Sequence, residues 1–193
     1  MSLDLAAARL NMVENQVRTN DVTDLAIQDA MRTVRREDLC PADRRFLAYA
    51  ETAVPIGGGW HLMQPRDIAK LLQAILPRPG ERALAISAPY GAALLREIGL
   101  TVDERPGGEG LDAAVTGGPY EVIVCEAAVA VTPQAWLDAL GPSGRLGVVE
   151  RQGPVGKARL YIRSPDGALA SREVFDSTPP FAPGFAPQAA FAF

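Results

Sequence analysis

At 193 residues, 48% apolar and only 22% charged, the chain is long enough to enclose a core and too apolar to remain disordered. Its 19 basic side chains are outnumbered by 23 acidic ones, giving a net charge of −4, which excludes the broad cationic surface that nucleic acid requires. Cys40 and Cys125 are far apart, form no disulfide framework and no metal-ligand pattern, and fit a reducing cytoplasm. The opening MSLDLAAARL lacks the pattern of a signal peptide, and no apolar run reaches membrane-spanning length, so a cytoplasmic protein without membrane contact is expected.

From Leu5 to Thr19 the apolar residues Leu5, Ala8, Met12, Val13 and Val17 recur at helical spacing. Thr23 is placed to cap a second helix, TDLAIQDAMRTV, with Leu25, Ile27, Ala30, Met31 and Val34 turned inward. The basic run Arg32, Arg35, Arg36, flanked by Glu37 and Asp38, reads as a solvated helix end. A short helical turn is expected between Pro41 and Tyr49. AVPIGGGWHLMQP holds three glycines and two prolines, and no regular structure is expected there. Pro65 suits the first turn of a third helix, PRDIAKLLQAIL, which LPRPGE closes.

Beyond Gly80 the rhythm changes. ERALAIS is a short apolar run bounded by turn residues, as in a strand buried on both faces. AALLREIG is helical and stops at Gly99, and LTVDE is a second strand. YEVIVCEAA is the strongest strand, TPQAWLDALG a helix between Thr132 as cap and Gly141 as stop, and GRLGVVE a fourth strand. This alternation implies parallel pairing with right-handed crossovers. KARLYIRS, the turn PDG and ALASREVF then read as antiparallel strands, followed by a Phe-rich ending. The expected fold is α/β: a Rossmann-like open sheet (residues 80–193) behind helices and a glycine-rich loop (residues 1–79), in one compact unit. Residues 105–119, RPGGEGLDAAVTGGP, are too few for the helix and strand that such a sheet normally carries there, since a crossover alone needs ~10–12 residues. LTVDE is therefore expected at a truncated edge, with residues 105–119 folded over it or a second copy paired there as a homodimer.

MVENQVRTNDVTDLAIQDAMRTVRREDLCP, AYAETAVPIGGGWHLMQP, LPRPGERAL and YEVIVCEAA…LGPSGRLGVV, taken in order, resemble the protein-L-isoaspartate O-methyltransferase family across most of Met12 to Val149. The resemblance implies a class I methyltransferase fold, S-adenosylmethionine as cofactor, and isoaspartyl carboxylates in damaged proteins or peptides as substrate. It places the cofactor turn at Ser87–Gly91, Tyr90 included, and a ribose-binding acid at Glu104, with Asp103 as rival. It places the substrate loop at Gly57, Gly58, Gly59 and Trp60. His61 falls at the family's threonine position and Met63 at its serine position. The family turn, close to VLEIGTGSGY, is ALAISAPYG here: Ala85 replaces an acid, Ser87 a glycine, and Pro89 enters.

Each of these residues also has a plainer reading. His61 is either a general base or a loop histidine. Cys125 is a buried core thiol, or a nucleophile partnered by His61. Trp60 covers a ligand or anchors its loop. Glu126, just past the third strand, points to the crevice edge where ligands bind in such sheets. A nucleotide-dependent oxidoreductase is disfavoured, because the turn lacks GxGxxG. Two functions are expected in competition: methyl transfer of the isoaspartate-repair type, and a catalytically inactive relative kept for binding.

Overall fold

A computed structural model describes residues 4–108 and 110–187; Phe191 and Phe193 of the Phe-rich ending lie outside the described residues. Helix α1 (Leu5–Met12) runs into a π turn at Val13–Val17 and a 3₁₀ turn at Arg18–Asn20. Helix α2 (Leu25–Thr33) is capped by Asp24 rather than Thr23: its carboxylate accepts the N–H groups of Ala26 and Ile27 at 2.9 and 3.2 Å. An ionised carboxylate is a stronger acceptor for those orphan donors than a hydroxyl. Short 3₁₀ turns follow at Arg36–Leu39 and Ala42–Leu47.

The glycine-rich stretch is more regular than its composition implies. It forms a hairpin, β1 (Val54–Gly57) and β2 (Trp60–Leu62). Gly57, Gly58 and Gly59 have φ of 106°, 58° and 82°, the left-handed conformations that a two-residue hairpin turn needs and that other residues resist. Helix α3 (Pro65–Ile75) starts on its proline, as expected.

The main sheet contains β3 (Arg82–Ile86), β4 (Thr101–Arg105), β5 (Tyr120–Val129), β6 (Leu140–Glu150), β7 (Gly156–Arg163) and β8 (Leu169–Ser177), in the spatial order β4-β3-β5-β6-β7-β8. The first four are parallel neighbours and the last two antiparallel, with β4 at the edge, as the sequence predicts. Helix α4 (Pro89–Ile98) joins β3 to β4 and ends on Gly99 at φ 105°. Helix α5 (Gln134–Asp138) is a single short turn behind Pro133. Thr132 does not cap it, because its N–H and hydroxyl both donate to Glu150 Oε1, and Gly141 lies inside β6 rather than at a helix stop.

Both faces of β3 and β5 are covered, which explains their apolar runs. Ala83, Ala85, Val122 and Val124 pack with residues of α2, α3 and α4, while Leu84, Ile86, Ile123 and Cys125 pack with Trp136 and Leu111. Residues 105–108 and 110–119 fold back over this second face. The Arg105 guanidinium donates to the carbonyls of Ala113 and Gly110, and Trp136 Nε1–H donates to Leu111 O. The outer edge of β4 pairs with no strand among the described residues. From β3 the chain moves outward to β4, then returns across the sheet to β5. The carboxyl ends of β3 and β5 therefore flank a topological switch point, where open α/β sheets hold their ligands.

Candidate cofactor cleft and its buried support

A cleft of about 260 Å³ opens at that switch point, lined by Ile56, Gly57, Trp60, Ala85, Ser87, Ala88, Pro89, Glu104 and Arg105–Gly107. Ser87, one of the lining residues, takes the left-handed conformation, φ 44°. A side chain there costs roughly 1–2 kcal/mol more than glycine would. Its N–H donates to Arg105 O at 2.8 Å, tying the turn to the end of β4. Pro89 occupies the first turn of α4, where its missing N–H is one of the helix's orphan donors in any case.

Alternation along β4 separates the two candidate acids. Glu104 lines the cleft and also pairs with Arg96 Nη2 at 2.6 Å. Asp103 faces the other way, where it accepts from Arg82 Nη2 at 2.6 Å and from the Tyr120 hydroxyl at 2.9 Å. These partners hold the Asp103 carboxyl below its ordinary value, the Tyr120 hydroxyl first and the Arg82 guanidinium after it, against some loss of hydration.

Behind the cleft lies a buried polar joint. Glu126, 1% exposed, does not point to the crevice edge as expected. Its side chain turns under the loop, where Oε2 accepts the N–H groups of Tyr90 and Gly91 at 3.0 and 3.2 Å, and Oε1 accepts Met63 N–H at 3.3 Å. A carboxylate at a helix N-terminus is favourably placed. Burial nevertheless dominates and pushes the carboxyl up to about 7, against the opposing pull of Arg36 and the three N–H donors. Arg36 is fully buried, so the basic run is not a solvated helix end throughout. Its Nε donates to Ala48 O at 2.8 Å and its Nη2 to Met63 O at 2.6 Å, with the guanidinium 4.6 Å from the Tyr90 ring centre. Met63 is thus held by its backbone from both sides, N–H by Glu126 and C=O by Arg36, while its side chain joins the core.

Of the residues singled out in the sequence, Gly57, Trp60, Ser87 and Glu104 share the cleft. Tyr90, Gly91 and Glu126 form the support behind it. Gly91 serves through its backbone N–H, since a Cβ there would make only ordinary contacts, 3.4 Å from Val124 Cγ1 and 3.5 Å from Ala88 and Ile68. His61, one residue from Trp60 along β2, faces instead a cavity of about 550 Å³ with Gln64, Arg66, Asp67 and Ser177. Gly58 and Gly59 make the hairpin tip. Cys125 is a core thiol, and burial pushes it up to about 12, which removes the thiolate that a nucleophile needs. Arg36 and Gly107 were not legible as parts of the site. A buried arginine is written in the same letter as a solvated one, and Gly107 has meaning only beside Trp60.

A sequence model of the family "Protein-L-isoaspartate(D-aspartate) O-methyltransferase" matches residues 8–98. The protein-L-isoaspartate O-methyltransferase of Methylorubrum extorquens is 33% identical over 185 residues, covering 82% of this chain and 80% of its own length. That of Aeropyrum pernix is 30% identical over 200 residues, covering 86% and 75%. A Plasmodium falciparum crystal structure named as a protein-L-isoaspartate O-methyltransferase, in complex with S-adenosyl-L-homocysteine, superposes with a TM-score of 0.73 at 16% identity, covering 90% of this chain and 97% of that one. At that identity the superposition speaks for the fold, which is the Rossmann-like α/β sheet of these methyltransferases.

Proposed function

We infer that this chain, which belongs to the protein-L-isoaspartate O-methyltransferase family, binds S-adenosylmethionine in the cleft between Ser87 and Glu104 and transfers its methyl group to isoaspartyl carboxylates of damaged proteins. The observation that carries this reading is that Glu104 and the left-handed Ser87 share one cleft at the switch point, beside the glycine hairpin. The residues present fit such a cofactor in kind. Glu104 offers carboxylate oxygens to ribose hydroxyls, the backbone of Gly57 approaches without a Cβ, and Ile56, Ala85 and Pro89 form apolar walls.

When bound, S-adenosylmethionine supplies an electrophilic methyl group on a sulfonium centre. The chain's own task is to orient the incoming carboxylate and exclude water, which is where most of the rate gain of a two-reactant step lies. No general base is required, because a carboxylic acid is already ionised at neutral pH. The thioether of Met63 and the separation of His61 from the cleft are therefore compatible with transfer.

A second reading, a catalytically inactive relative kept as a binding or interaction protein, is favoured by one specific arrangement. Tyr90 and Gly91 N–H, which a helix N-terminus would otherwise present to a ligand anion, are occupied by Glu126. Calorimetric titration with S-adenosylmethionine and S-adenosylhomocysteine, paired with labelled methyl transfer to an isoaspartyl peptide, separates the two. The enzyme reading expects binding and transfer, both falling at least tenfold in Glu104→Ala, a loss of ~1.4 kcal/mol or more. Absence of transfer, with or without binding, overturns the enzyme reading and supports the second, and robust transfer overturns the second.

A further inference from the structure

Trp60 sits between two hollows. It lines the 260 Å³ cleft and also a cavity of about 590 Å³ bounded by Gly58, Gly108, Gly110, Asp112 and Phe185. Its indole lies so close to Gly107 that a Cβ on that residue would fall 2.2 Å from Cε2, 2.5 Å from Cδ2 and 2.6 Å from Nε1. Gly107 is not among the residues with positive φ, so its backbone does not demand glycine. The indole does. Trp60 is also carried on three consecutive left-handed glycines, Gly57 to Gly59, the least restricted backbone the chain contains. The second tryptophan gives the contrast: Trp136 is fully buried and anchored through Nε1–H to Leu111 O, whereas Trp60 is half-buried.

The geometry points to Trp60 as a swinging partition, closed against Gly107 in this structure, which must leave that seat to join the two hollows and admit the cofactor. The inference rests on the proposed cofactor reading. The smaller cleft alone falls below the ~300–1,000 Å³ usual for small-molecule sites, whereas the joined space lies within it. A closed partition lowers apparent affinity by the fraction of time it stands open, so a gate shut about nine-tenths of the time weakens binding about tenfold.

The test uses the full chain with Trp136→Phe as background, so that Trp60 is the fluorophore. Indole emission and acrylamide quenching are recorded with and without S-adenosylhomocysteine, and affinities are measured by calorimetry for the background, Trp60→Ala and Gly107→Ala. Should the background not fold, the same affinities are taken on the single variants. The expected result is a red shift and greater quenching of Trp60 in ligand-free Gly107→Ala, a comparable emission change on ligand binding to the background, and about tenfold tighter binding in both variants. Equal or weaker binding in Trp60→Ala, or Trp60 emission unmoved by ligand in the background, overturns the partition and leaves the cofactor reading standing. Absence of binding in all three proteins overturns both.

Discussion

Replacing Glu126 with glutamine should remove a pH dependence of folding that this one side chain imposes. Burial raises its carboxyl from an ordinary 4.5 to about 7 in the folded chain. Between those values the folded state holds a proton that the unfolded state has released, so its contribution to stability is complete below about 4.5 and is lost as pH rises to about 7. At ~1.4 kcal/mol per unit the interval amounts to about 3 kcal/mol. The other shifted carboxyls do not compete in this window. Glu37, Glu81 and Asp103 are held low, with arginines among their partners, and act on the acid side of their ordinary values. In Glu126→Gln the new amide would keep one oxygen for Tyr90 and Gly91 but turn an NH₂ towards Met63 N–H, stranding that donor at a constant cost of ~1–3 kcal/mol. Urea unfolding of both proteins from pH 4.5 to 8 is the assay. The wild type should lose about 3 kcal/mol relative to the variant across that range. Parallel stability curves would refute the reasoning, since they would mean that Glu126 is solvated or ionised throughout.

Arg36→Met should lower stability by ~2–5 kcal/mol, because it strands the carbonyls of Ala48 and Met63, and thermal unfolding reads it directly. The same change removes the cation that most opposes protonation of Glu126, so the pH-dependent loss should extend above pH 7. Ser87→Gly should relieve the left-handed strain, giving up to about 1 kcal/mol of added stability once glycine's extra chain entropy is subtracted; a destabilised variant would mean that the serine side chain itself holds the turn.

The sheet was legible because its central strands β3 and β5 are buried on both faces. A run such as YEVIVCEAA has no polar face to confuse with a helix, and the shortness of residues 105–119 was enough to place β4 at the edge. The caps and the hairpin were less legible. Thr23 and Asp24 are adjacent candidates of equal standing, and geometry chose the carboxylate. The three glycines of the loop read as irregular structure, although left-handed glycines in succession are also what a tight hairpin consumes. Buried charges were the least legible of all. Arg36 and Glu126 face each other across Met63, 63 residues from one of them in sequence, and neither position carries a local pattern that distinguishes it from a surface charge.

The cofactor turn shows how residue identity and backbone need separate. Counting glycines in ALAISAPYG suggests that the turn has lost its shape, yet Ser87 takes the left-handed conformation itself, and the chain follows the tight course at the cost of strain rather than abandoning it. Pro89 removes an N–H that no intrahelical acceptor would have used. The donors that remain in the turn already have acceptors within the chain. Tyr90 and Gly91 give theirs to Glu126, and Ser87 gives its own to Arg105. The turn is thus held together by acceptors from β4 and β5, and these donors cannot be offered to a ligand without breaking a contact that is already made. A cofactor bound here must draw its recognition from the side chain of Glu104 and the apolar walls. The weight of specificity therefore shifts from the helix terminus, where an anionic group would be read, to the ribose end of the site at Glu104.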